Sequence, residues 1–157
     1  MDREALQLYT SCLERMDCID RSFQKIQKEL NRCQSEETQC SLLLDRAFLH
    51  LFLQQEQQCL QTLNQVTCWT RDYETKWPEI GFMKSICFYK LENMKKSSTN
   101  QALDCYQFAE NRFQQQYYST KTLRSFSSRL LLSRFMAMQY FNSVRQKSLQ
   151  NHQVIMF

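Results

Sequence analysis

The chain contains one glycine, Gly81, and one proline, Pro78, among its 157 residues. A chain of this length with average composition carries roughly eleven glycines and eight prolines. Sheets need tight turns, and these turns depend on residues that accept a positive φ or fix φ in advance. The scarcity of both residues therefore argues against a sandwich, a barrel or a series of βαβ units. We expect an all-α protein.

A coiled-coil-like seam runs through the first half of the chain. Apolar residues recur at spacings of three and four, and twelve of fourteen heptad positions are apolar when Cys and Tyr are included. The a positions are Tyr9, Met16, Phe23, Leu30, Glu37, Leu44 and Leu51, and the d positions are Cys12, Ile19, Ile26, Cys33, Cys40, Ala47 and Gln54. Such a pattern is typical of helices that pack along one stripe.

Residues 34–39 are polar throughout, although the heptad phase is the same on either side. Continuation in phase favours one long helix, whereas a polar insert favours a helical hairpin with a short connection. We favour the continuous or gently kinked helix, because the insert contains no helix breaker.

The pattern fails at Trp77–Gly81, where a proline follows Trp77 and Gly81 permits a turn. We predict a single helical domain over 1–157. Its segments are a long helical or hairpin segment at 1–76, a short helix at 79–96, a loop at Lys95–Asn100, a long basic and aromatic helix at 100–150, and a tail at 151–157. A helix of about 48 residues would be about 70 Å long. We therefore expect an elongated, antiparallel, coiled-coil-like bundle of three to four long helices.

The predicted core takes residues from every part of this bundle. Its members are Met16, Ile19, Phe23, Ile26, Leu30, Leu44, Phe48, Leu51, Leu63, Phe82, Phe113, Leu123, Leu130 and Met138.

The N-terminal residues lack an apolar stretch before a cleavage site, so we expect no signal peptide. No run approaches the roughly 18 apolar residues of a membrane span. We predict a cytoplasmic protein, with the nucleus and the cilium as alternatives, that is not secreted. The eight cysteines then stay reduced and act as small apolar residues, without disulfides.

The two halves of the chain carry opposite charge. Residues 1–83 hold nine Lys/Arg and thirteen Asp/Glu, a balance of −4, whereas residues 84–157 hold eleven and three, a balance of +8. One interpretation is that acidic and basic helices pair within the fold. The other is that the basic half meets an acidic partner, such as a microtubule, a nucleic acid or an acidic protein.

Catalytic and metal-binding patterns are missing. A single glycine excludes the P-loop, the dinucleotide fingerprint and the nucleophile elbow. The two histidines, His50 and His152, lie about a hundred residues apart, and the cysteine spacings do not match a zinc site. We expect no enzyme activity, no metal and no cofactor.

The basic half interleaves aromatic rings with cations, and it has more rings than one helical stripe can bury. Tyr106, Phe108, Tyr118, Phe135 and Tyr140 lie off the main stripe. The candidate partner-binding residues are Tyr118, Arg124, Arg129, Arg134, Phe135 and Tyr140.

We expect a non-enzymatic helical adaptor or structural subunit of a larger intracellular protein complex, for example a cytoskeletal or ciliary one. It would bind other proteins through its coiled-coil-like and aromatic helix faces. The alternative is a nucleic-acid-associated helical protein that uses the basic C-terminal half.

Overall fold

The structure, a computed structural model, describes residues 3–67, 73–95, 100–120 and 126–156, with their side chains except at 5–16, 67, 93–95, 100 and 143–156. The described residues form seven α-helices and no strand, which confirms the all-α prediction. The helices are α1 (Arg3–Arg32), α2 (Glu36–Phe52), α3 (Glu56–Thr67), α4 (Tyr73–Lys76), α5 (Glu79–Lys95), α6 (Asn100–Thr120) and α7 (Ser128–Met156). The prediction of three to four long helices is wrong, because two of the predicted helices are divided.

The first division is the reversal at 33–35, where α1 turns into α2. The rings of Phe23 and His50 have centroids 4.9 Å apart, and Arg46 Nη1 donates a hydrogen bond to Gln27 Oε1 at 3.4 Å. These contacts place α1 and α2 antiparallel. The hairpin alternative is therefore correct and the favoured continuous helix is wrong. The heptad phase did not distinguish them, because an apolar stripe can pack against its own continuation across a turn.

A second division separates α2 from α3 at residues 53–55. Gln54 has a φ of 61°, the left-handed conformation. Its N–H donates to the carbonyl of Leu51 at 3.0 Å, and the N–H of Gln55 donates to the carbonyl of His50 at 2.8 Å. This pair of bonds is a Schellman motif, which normally places Gly or Asn in the left-handed position. Because glutamine occupies that position, no residue of the turn predicts it.

The turn before α5 lies where Pro78 predicts it. The Pro78 carbonyl accepts the first helical hydrogen bond from Phe82 N at 3.3 Å, and α5 then extends from Glu79 to Lys95, close to the predicted 79–96. Gly81, however, lies within the helix and has no positive φ. A Cβ atom there would lie 2.8 Å from the Cβ of Ala109 and 3.2 Å from the carbonyl oxygen of Cys105. The glycine thus permits a close approach of α5 to α6, which corrects its predicted role in the turn.

Helix α5 is the centre of the fold and packs against α2, α3, α4, α6 and α7. Its side chains from residue 79 to 83 and from 85 to 87 are all buried. Among the predicted core residues, those confirmed as buried are Ile26, Leu44, Leu51, Leu63, Phe82, Phe113 and Leu130. Ile19, Phe23, Leu30, Phe48 and Met138 are half-buried. Met16 and Leu123 lie outside the described side chains.

The long helix predicted at 100–150 is also wrong, because α6 and α7 form an antiparallel pair. Tyr106 stacks on Phe141 with ring centroids 4.9 Å apart, and Arg134 contacts Glu110. The hydroxyl of Ser127 accepts a hydrogen bond from Leu130 N at 3.1 Å and so caps α7. Helix α7 continues to Met156, through residues predicted as a tail. The elongated shape was predicted from a single long helix at 100–150, and that helix is divided. Residues 96–99 of the predicted loop lie outside the described residues.

Candidate interaction surface

Arg129 is held inside the fold at the point where α2, α5 and α7 meet. Its Nη1 donates to Asp45 Oδ1 at 2.5 Å and to the Ser41 carbonyl at 3.0 Å, and its Nε donates to Glu79 Oε2 at 3.2 Å. The guanidinium carbon lies 5.5 Å from the centroid of the Trp77 ring. The side chain is 10% exposed. Arg129 therefore neutralises two carboxylates of the acidic half and holds α7 to α2 and α5.

Glu79 is the most buried acidic group of this cluster, at 2% exposure. Burial raises the pKa of its carboxyl, and the nearby positive charge of Arg129 opposes the rise. Ser127 donates a further, long hydrogen bond to the same carboxylate oxygen at 3.5 Å. A buried carboxylate of this kind depends on its cation, because an unpaired charge in the interior is strongly destabilising.

Arg134 is engaged in a similar way. It donates two hydrogen bonds to Glu110, from Nε at 2.9 Å and from Nη2 at 2.7 Å, and its guanidinium lies 4.2 Å from the centroid of Phe113. The hydrogen bond with Glu110 raises the pKa of the guanidinium further. This bidentate pair joins α6 to α7 and leaves little of the cation for a partner.

Two further ion pairs connect the acidic half to the basic half. Lys84 Nζ lies 2.6 Å from Glu74 Oε1, and Lys90 Nζ lies 3.4 Å from Glu56 Oε1. Together with Arg129, these contacts support the interpretation that the opposite charges of the two halves pair within the fold.

The surplus aromatic rings divide into two groups. Tyr106 is buried against Phe141, and Tyr140 packs on Tyr89 with ring centroids 5.0 Å apart. The second group is exposed: Phe108 to 45%, Tyr118 to 70% and Phe135 to 62%. The structure thus uses Tyr140 in the fold and leaves Tyr118 and Phe135 on the surface, while Arg124 lies outside the described residues.

Helix α7 has a buried face and an exposed apolar pair on the opposite face. Leu130, Ser133, Ala137 and Phe141 repeat at helical spacing and are buried. Leu132, 50% exposed, precedes Phe135 by about one turn on the other side. We call Leu132 and Phe135 the α7 apolar pair. Leu132 was not among the predicted partner-binding residues, although it lies between positions 130 and 133, which are buried on the other side of the helix.

Over residues 128–142, the part of α7 whose side chains the structure describes, the other exposed positions of this face are Ser128, Gln139 and Asn142. All three are uncharged. A partner that covered the α7 apolar pair would therefore desolvate no ionised side chain on this stripe between residues 128 and 142, which makes that part of the face suitable for another apolar surface.

Two cavities lie elsewhere on the described surface. A cavity of about 360 Å³ is lined by Arg112, Gln115, Gln116, Ser119, Thr120 and Phe126. Another, of about 340 Å³, lies between α1 and α2 and is lined by Ser22, Lys25, Ile26, Glu29, Leu42, Asp45, Phe48 and Leu49. The described residues contain no group of three side chains suited to a metal ion.

Comparisons of the chain with protein-family models, with curated proteins and with solved structures returned no match. Within the part of the chain that the structure describes, every helix is too short or too polar to cross a membrane.

Proposed function

We propose that this chain is a non-enzymatic helical adaptor or structural subunit of a larger protein complex. In this proposal it binds an apolar helix face of a partner protein on the α7 apolar pair, and its own helices pack as an antiparallel bundle. The complex would be cytoplasmic. We expect it to be a cytoskeletal or ciliary assembly. The observation that carries the proposal is the exposure of Leu132 and Phe135, one turn apart, on a helix whose other face is buried.

Burial of this pair against a partner would contribute free energy to binding. Completing the burial of a half-exposed Leu or Phe contributes about 1 kcal/mol each, half of the value for a fully exposed side chain. Two such side chains do not give a stable complex by themselves, so they would act as the centre of a larger contact. Tyr118 and Phe108 are also exposed, on α6.

The nucleic-acid alternative has less support. Arg129 and Arg134, two of its three arginines, are already bound to carboxylates within the fold. Charge reversal at these positions would damage the fold before it tested any binding to phosphate. The adaptor proposal needs neither residue at the surface.

Photo-crosslinking tests the proposal directly. A photoreactive phenylalanine analogue replaces Phe135 in the full chain, and a second version carries it at Phe52, which is 60% exposed on α2. We expect a discrete protein product from position 135 and none from position 52. The yield should be similar at about 50 and 200 mM salt, since apolar contacts do not depend on counterion release. Equal products from both positions, or nucleic acid as the main product, would refute the proposal.

A variant pair provides the matched control. The double variant Leu132→Ser/Phe135→Ser should lose the partner, whereas Phe52→Ser should retain it. Both should melt close to the unaltered chain, because each change replaces an exposed side chain. Tyr140→Ser is unsuitable for this purpose, because Tyr140 packs on Tyr89 and its loss would disturb α7.

A further inference from the structure

Helices α3 and α5 are held in an antiparallel register by two contacts in successive turns. The first is the ion pair between Glu56 on α3 and Lys90 on α5, 3.4 Å apart. One turn further along α3 is Cys59, and one turn back along α5 is Cys87. Both cysteines are fully buried and belong to the same core cluster. The register therefore places a cysteine of one helix directly opposite a cysteine of the other.

Both thiols lie in the interior. Cys59 and Cys87 are each 0% exposed and belong to the main apolar core. The hydrogen bond with Cys59, together with burial, raises the pKa of the Cys87 thiol well above its usual range. The Cys87 thiol is therefore protonated, and burial keeps both thiols from an attacking disulfide while α3 stays packed on α5. Cys40 is equally buried, but its hydrogen-bonding neighbour is Tyr73 instead of another cysteine.

We propose that Cys59 and Cys87 form a dithiol that a low-molecular-weight disulfide, such as oxidised glutathione, converts into a disulfide joining α3 to α5. When α3 opens locally, one thiolate attacks the glutathione disulfide, forming a mixed disulfide and releasing one glutathione. The second cysteine thiolate then attacks the cysteine sulfur of the mixed disulfide and releases the second glutathione. The two protein thiols lose two electrons and two protons, and the glutathione disulfide gains them.

The disulfide covalently links α3 to α5 across the interface that has to open before the reaction can start. Once closed, the bond prevents α3 from separating from α5 and shortens the free loop of the unfolded chain, so the oxidised protein is more stable. Reduction by a thiol restores the dithiol.

The test uses the full chain. The reduced protein is incubated with oxidised glutathione below its melting temperature, its remaining thiols are alkylated in denaturant, and unreduced peptides are mapped by mass spectrometry. We expect a peptide pair linked through Cys59 and Cys87, and a melting temperature raised by several degrees. Cys40→Ala should still yield this linked pair, whereas Cys59→Ala should not.

Two results would overturn the inference. In one, Cys59 and Cys87 remain fully alkylated or carry separate glutathiones while the exposed Cys18 has reacted. In the other, the linked product melts at a lower temperature than the reduced chain, which would mean that the bond forms outside the native packing. Both results are read on the unaltered chain, so they do not depend on whether a variant folds.

Discussion

At Gly81 a hydrogen atom occupies space that a methyl group would have to share with Ala109 and with the backbone of Cys105. Gly within a helix ordinarily costs about 1 kcal/mol relative to Ala. The position is therefore one where local preference and packing disagree. Packing decides, because the neighbouring atoms belong to a short side chain and to the backbone, neither of which can move aside without moving α6.

Gly81→Ala should lower the free energy of unfolding by about 1–2 kcal/mol, since overpacking of this kind typically costs about 1–3 kcal/mol and the gain in helix propensity offsets part of it. Urea denaturation measures the change. The double variant Gly81→Ala/Ala109→Gly should recover part of the loss relative to the sum of the single changes. A loss that is strictly additive would show that the two residues do not touch.

Arg129→Met should lower the free energy of unfolding by about 3 kcal/mol near neutral pH, because it leaves Glu79 buried without a cation. The loss should shrink as the pH falls. The pKa of Glu79 in the folded state is raised above that in the unfolded chain. The contribution of this group to stability is therefore complete below the unfolded pKa and is lost as the pH rises through the folded pKa.

Removal of Arg129 strengthens this dependence, because the positive charge of Arg129 opposes the rise that burial causes in the pKa of Glu79. Thermal melts of Arg129→Met between about pH 4.5 and pH 7 give the slope. In the double variant Arg129→Met/Glu79→Gln, the additional dependence of the melting temperature on pH should disappear. A slope that persists in that double variant would assign the effect to another group.

Among the elements, the turn between α2 and α3 is the one with an unfavourable residue at its centre. Gln54 holds a φ of 61°. A residue with a Cβ in this conformation costs about 1–2 kcal/mol relative to its ordinary helical conformation. The two Schellman hydrogen bonds and the buried ends of the flanking helices, Leu51 and Cys59, offset that cost.

Gln54→Gly should therefore raise the free energy of unfolding by about 0.5–1 kcal/mol, the relief of strain being reduced by the greater entropy of glycine in the unfolded chain. Gln61→Gly is the matched control, because Gln61 is exposed in the middle of α3. There the same change should lower stability by about 1 kcal/mol. Chemical denaturation measures the free energy of unfolding of both variants. A change of the same sign in both would contradict the assigned turn.

The helical class and the start of α5 follow from composition and from one proline, because both depend on local preferences. The points at which the predicted long helices divide were harder to predict from the sequence. The break before α7 had a signal, since six of the ten residues at 119–128 are Ser or Thr, which favour caps over helix interiors. The turn at Gln54 had none, because packing imposed it on a residue with no preference for it.

Some features of the candidate surface could likewise be predicted from the sequence, and others could not. Tyr118 and Phe135 lie off the apolar stripe and are exposed, whereas Tyr106 and Tyr140, which also lie off it, pack within the fold. The roles of Arg129 and Arg134 depend on carboxylates that lie 84 and 24 residues away, which periodicity within one helix cannot reveal. Counting charges identified the asymmetry between the two halves, but it did not identify the ion pairs in which those charges take part.

At the scale of the whole molecule, α5 contacts five other helices, whereas the described packing of α1 is against α2. Native-state hydrogen exchange should therefore find the slowest amides in residues 82–88 and distinctly faster exchange in α1. The reason is that opening α5 exposes the core, while α1 can separate with the loss of one interface. Equal protection in both helices would mean that α1 is fixed by contacts beyond its pairing with α2.

The place of α5 near the middle of the chain has a consequence for synthesis. Its partners α2, α3 and α4 precede it, and α6 and α7 follow it. When α5 leaves the ribosome, the side that will meet α6, including Gly81, has nothing to cover it. That side stays uncovered for roughly 25–60 further residues of translation, or several seconds at about 5–20 residues per second. During this interval the nascent chain exposes this side of α5 to chaperones, and the side is covered only after α6 and α7 have been synthesised.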